Sequence, residues 1–219
     1  MDKPVATSRS EVARLAVAVG GLLILSVLWL VLSHLNHNIA REHGPMENLQ
    51  VAFLFAAFLV LLRHAASEKN LGTRILFAAM AAGYFTFLAL EFDVRPLESK
   101  WLTLIFNGPI RNAWMLIAWA IIGVFAFRNL HQVLAAFHVW RRTSSALLLA
   151  SSAVFWGAGA VAEKWFSKLN PSHYFIEEFM EGHATWLMLL AAISLKTSQP
   201  VYSTIQSLRP ERGSVTRSV

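Results

Sequence analysis

Apolar residues run in long blocks through most of the chain, each broken by a short polar or proline-containing stretch. About twenty apolar residues make a helix that crosses a bilayer. The pattern predicts six such helices, over residues 11–34, 45–63, 73–92, 112–127, 145–166 and 171–195. The expected fold is all-α: one integral membrane domain over 1–219, a polytopic transmembrane bundle.

The breaks support these boundaries. Gly44-Pro45 reads as a helix start, because proline at the first helical position lacks only an N–H that would be unpaired there. Asn170 before Pro171 reads as an N-cap, and Pro96 ends the third helix. The fourth block is short and fits a tilted or thinned setting. The first is too long for a secretory leader, and no small-x-small site follows it, so it reads as a retained helix. Two connections, 97–106 and 129–140, carry Trp101, Leu102, Ile105 and Phe106, then Leu130, Val133, Phe137 and Trp140, at helical spacing. Either reads as an interfacial helix, and the second alternatively continues the fourth. The tail 197–219 is polar and basic, and reads as loosely ordered.

Composition agrees. Apolar residues are 56% of the chain and charged residues 15%, against about a quarter charged in soluble domains. The net charge of +6 raises nucleic acid as a partner, but most Lys and Arg flank apolar blocks, which is a topology signal. No nucleic-acid partner is expected; the bilayer is. There is no cysteine, which excludes disulfides, thiolate metal sites and cysteine nucleophiles. Lys3, Arg9, Arg14, Arg63, Lys69, Arg74, Arg128, Arg141, Arg142, Lys196, Arg209, Arg212 and Arg217 fall on one side of a six-helix arrangement. By the positive-inside rule both termini face the cytoplasm.

The candidate chemistry lies on the other side. Glu177, Glu178, Glu181 and His183 interrupt the last apolar block. Ionisable groups at membrane depth are expensive and mark sites. Counted along the helices, Glu47 and Glu91 fall about one turn inside the outer surface, Glu177 and Glu178 at it, and Glu181 about a turn deeper. Such carboxylates should point inward. Asn48 adds an amide suited to bonding across helices, and Arg95 shares a face with Glu91 four residues earlier. The candidate ligand set is therefore Glu47, Asn48, Glu91, Arg95, Glu178 and Glu181. His34, His37 and His183 are the metal-ligating candidates, and a divalent metal is the cofactor considered. His183 lies off the glutamate face, and a lone intramembrane histidine reads as a bond between helices. Small residues in 73–92 and 145–166, among them Gly83, Gly157 and Gly159, mark those two helices as central. Trp29, Trp101, Trp140 and Trp165 fit interfacial belts, and Trp156 fits packing.

Three segments, EHGPMENLQVAFLF, LEFDVR and FIEEFMEGHATWLMLLAA, together resemble a group of uncharacterised small bacterial polytopic membrane proteins with acidic helix entries. The resemblance implies a multi-pass protein of the bacterial inner membrane. A weaker likeness is to the alkaline ceramidase-like membrane hydrolases, which hold zinc with several intramembrane histidines and an aspartate. Here His183 alone lies well inside a span, and the second histidine expected in the last helix is absent.

Three functions follow. The first is an outward-facing carboxylate-lined pocket that binds or moves a cation, a proton or a polar lipid headgroup. The second is a structural or accessory subunit with a membrane-protein partner or a second copy of the chain. The third is a metal-dependent lipid hydrolase. No Walker, Gly-x-Ser-x-Gly or His-Glu-x-x-His motif occurs, so enzyme activity is left open.

Overall fold

The computed structural model describes residues 9–35, 44–91, 100–106, 108–166 and 173–195. All the elements described are helices: α1 (Arg9–Leu35), α2 (Pro45–Ser67), α3 (Leu71–Glu91), α4 (Lys100–Phe106), α5 (Pro109–Arg128), α6 (Leu130–Trp140), α7 (Ser144–Phe166) and α8 (His173–Ile193). Five are long and apolar enough to cross a membrane: α1, α2, α3, α5 and α7. The sixth expected span, α8, is of similar length but holds three glutamates and two histidines.

Local chemistry accounts for the boundaries. Pro45 and Pro109 occupy the first turns of α2 and α5, each behind an extended glycine. The fourth predicted span thus starts three residues before 112, at Pro109. Between α2 and α3 the chain turns within three residues. Glu68 accepts the Asn70 N–H at 2.9 Å, and Asn70 Oδ1 caps α3 by accepting the Thr73 N–H at 3.0 Å. The 129–140 segment neither continues α5 nor stands alone. Asn129 leaves helical geometry, and α6 folds back along α3, where Gly72 meets the backbone of Gln132. A side chain at 72 would fill that contact.

The centre of the bundle is α8, flanked by α7 and α2, with α1 touching it and α3, packed on α2, reaching it through Tyr84. Gly182, His183, Ala184 and Thr185 are all buried. Four successive residues sweep about 300° of a helix, so α8 is covered nearly all round at that level. The expectation that α3 and α7 are central changes for α7, which packs chiefly on α8; α3 packs on α2, α5 and α6 and reaches α8 as well. Small residues permit close approach but do not choose the middle; the helix with most polar groups to shelter takes it. Gly159 does sit against Glu181 and Met180, whereas a side chain at Gly157 would meet open space. Trp29 is corrected too: it is buried, its indole nitrogen lies over Gly182, and it is no belt residue. Trp101 and Trp165 are exposed, and Trp156 stacks on Phe87 across α7 and α3.

Each helix around α8 also ties to it through one polar side chain. Ser26 of α1 meets His183 at 2.8 Å, and Gln50 of α2 donates to Glu178. Tyr84 of α3 donates to the Met188 carbonyl at 3.1 Å, and Ser145 of α7 to the Ala191 carbonyl at 2.8 Å. In an apolar surround such bonds fix rotation and depth as well as adding stability.

Candidate functional site

The antiparallel course of the chain brings the start of α2, the ends of α3 and α7 and the start of α8 to one end of the bundle. Their carboxylates meet there. Glu178 lies within electrostatic range of Glu47, Glu91 and Glu177. Glu181 lies within range of Glu91, Glu178, Glu177 and Glu163. Glu47 and Glu91 act on one another as well. Glutamates from four helices thus share one region, with Glu91 and Glu178 linking Glu47 on one side to Glu181 on the other. Glu47, Glu91, Glu178 and Glu181 are each partly buried.

The anchor of the cluster is a residue outside the predicted set. The buried stripe of α2 runs Met46, Gln50, Leu54, Ala57, Leu61 and Ala65, and Gln50 is its one polar member. Gln50 is 1% exposed. Its Nε2 donates to Glu178 Oε2 at 2.7 Å and to the Glu178 backbone carbonyl at 3.1 Å. Its Oε1 is buried and has no hydrogen-bond partner. The sequence held a signal for Gln50: it lies three residues after Glu47, on the same face of an otherwise apolar helix.

The other predicted residues divide. Asn48 is exposed, and its amide nitrogen turns back to the Gly44 carbonyl at 3.0 Å on its own helix. Arg95 and His37 lie outside the described residues. His34 is exposed at the end of α1. His183 is 2% exposed and held between Phe179 and Phe155, with ring centroids 4.2 and 5.7 Å away. Its Nδ1 lies 2.6 Å from the Phe179 carbonyl, and its Nε2 faces Ser26 Oγ at 2.8 Å and the Leu22 carbonyl at 3.2 Å. Both nitrogens are engaged, as the interhelical reading expects. Among the described residues no three His, Asp or Glu side chains are placed to hold one metal ion.

No protein-family model, no curated protein and no solved structure matches this chain. The site must be read from its own chemistry. Two clefts open elsewhere: one of about 390 Å³ beside Lys100, Thr103, Leu104 and Gly108, and one of about 470 Å³ beside Trp140, Arg141, Leu147 and Ala150. Neither is lined by the glutamates. What the cluster offers is several carboxyl groups gathered at one end of a helix bundle, one of them fixed by a buried amide.

Proposed function

We infer that α8 is the sixth span and that the glutamate cluster at its start binds or moves a cation, a proton or a cationic headgroup. The chain is then an integral membrane protein, of the bacterial inner membrane, with both termini in the cytoplasm and the cluster on the outer side. One observation carries the reading. Glu91, Glu178 and Glu181 come from two helices and are partly buried, and among the described residues the charged groups acting on them are carboxylates. Such an arrangement is unfavourable unless something positive enters it.

The test measures thermal stabilisation of the purified protein in phosphatidylcholine nanodiscs at fixed ionic strength. The cations are sodium, magnesium, methylammonium and tetramethylammonium. At least one should raise the melting temperature of wild type and not of the Glu178→Gln/Glu181→Gln double variant. If none does, or if the double variant responds equally, the reading fails.

The accessory-subunit reading has one observation of its own. Every described residue of α5 is at least partly exposed, including Leu116, Ile117 and Phe125. A helix so uncovered faces lipid or a neighbouring protein. Photocrosslinking from Ile117 in native membranes separates these: a defined protein adduct supports the subunit reading, and lipid adducts alone oppose it.

A further inference from the structure

The orientation of the Gln50 amide is fixed by what it touches. Its two neighbours, the Glu178 carbonyl and carboxylate oxygens, are both acceptors, and a backbone carbonyl accepts whatever the carboxyl's protonation state. The nitrogen must therefore face Glu178, and the oxygen is left without a donor. A buried acceptor in that state is costly. Gln50 touches Glu178, which lies within electrostatic range of Glu91 and Glu181, and all three carboxyls when ionised are acceptors only. Arg111 of neighbouring α5 spends one guanidinium nitrogen on the Ala89 carbonyl at 3.2 Å. Its Nε is itself buried without a partner, but among the described residues no donor reaches Gln50 Oε1.

We propose that the cluster recognises a primary ammonium group, through N–H donation to Gln50 Oε1 together with charge pairing to Glu178 and Glu181. This deepens the cation-site reading and rests on it. A divalent metal fits less well, since no three of the described acids and histidines are placed around one ion. A quaternary ammonium supplies charge but no N–H for Gln50. The ammonium belongs either to a free amine or to an aminophospholipid headgroup.

The nanodisc melting assay tests this, because methylammonium and tetramethylammonium carry equal charge and differ in donors. Methylammonium should half-saturate wild type at about tenfold lower concentration than tetramethylammonium, the worth of one well-placed hydrogen bond. Gln50→Leu should erase that preference and keep the shared charge response; Gln50→Met serves if the leucine variant does not fold. Replacing part of the phosphatidylcholine by phosphatidylethanolamine separates the sources. Stabilisation with a blunted methylammonium response assigns a lipid headgroup, and an unchanged response assigns a free amine. If tetramethylammonium, sodium or magnesium acts as well as methylammonium, the ammonium proposal falls and the cation reading stands. If no cation acts on wild type, both fall. If wild type is silent but Arg95→Gln responds to methylammonium, the chain supplies its own cation and the proposal is overturned.

Discussion

Gln50 Nε2 lies 2.7 Å from Glu178 Oε2, and this contact joins the buried stripe of α2 to the acidic start of α8. It holds one carboxylate of the cluster in place by a group that cannot neutralise it. A bundle built for stability alone would place an arginine or an apolar residue there. On the cation-site reading proposed above, the arrangement keeps a carboxyl available at the expense of stability.

Glu181→Gln should therefore stabilise the empty protein. The isosteric amide replaces a carboxyl crowded by other carboxyls with a group that never ionises, and keeps the packing against Gly159. A melting temperature higher by about 2–4 °C, corresponding to roughly 1 kcal/mol, is expected at neutral pH. A lower melting temperature would assign Glu181 a structural bond and favour the accessory-subunit reading.

Cation binding should strengthen as pH rises. Carboxyl groups bind a cation only when ionised, so protons compete for the same oxygens at low pH. The half-saturating cation concentration should fall between pH 5 and pH 8 in wild type, and this slope should flatten in the Glu178→Gln/Glu181→Gln variant. Calorimetry at the two pH values checks both. A pH-independent affinity would show that the glutamates take no part.

The Ser26–His183 contact should show as a coupling between α1 and α8. Ser26→Ala and His183→Gln each remove part of it, and a double-mutant cycle isolates the pair. Bonds between membrane helices give about 0.6 kcal/mol on average and about 1.7 at most, so a coupling within that range is expected. Denaturation in mixed micelles measures it; no coupling would leave His183 a packing residue.

Gly72→Ala should destabilise the protein by about 1–3 kcal/mol, because the new methyl group meets the Gln132 backbone, which cannot swing away. Gly123→Ala in α5 meets nothing within 4 Å. It should be neutral or stabilising by about 0.5–1 kcal/mol through the helix preference of alanine. Equal effects of the two would refute the close packing of α6 on α3.

Much of the architecture is legible in the sequence, for identifiable reasons. Pro45 starts α2 where the chain predicts, and the helix over 145–166 is recovered as Ser144–Phe166, because apolar block length and turn chemistry are local properties. What goes unread is lateral. Glycines in α3 and α7 look like a central seam, yet which helices surround which depends on partners distant in sequence. Trp29 has a belt residue's composition and position, but Gly182, more than 150 residues later, gives it a buried seat. Glu47, Glu91, Glu178 and Glu181 come close because depth can be counted along each helix. Gln50 escapes notice because a neutral amide in an apolar stripe carries no charge signal.

The central place of α8 also bears on how the protein is made. On the six-span reading proposed above, a segment with Glu177, Glu178, Glu181 and His183 gains little from entering lipid alone, since ionisable groups at membrane depth are expensive. Yet α8 leaves the ribosome after the seven helices described before it. By then Ser26, Gln50, Tyr84 and Ser145 have already been synthesised, and each can offer it a hydrogen bond. On that reading, helix order along the chain acts as a biogenesis programme: hydrophobic walls are laid first, and the segment least able to enter lipid unaided arrives when a polar-lined berth is ready to receive it.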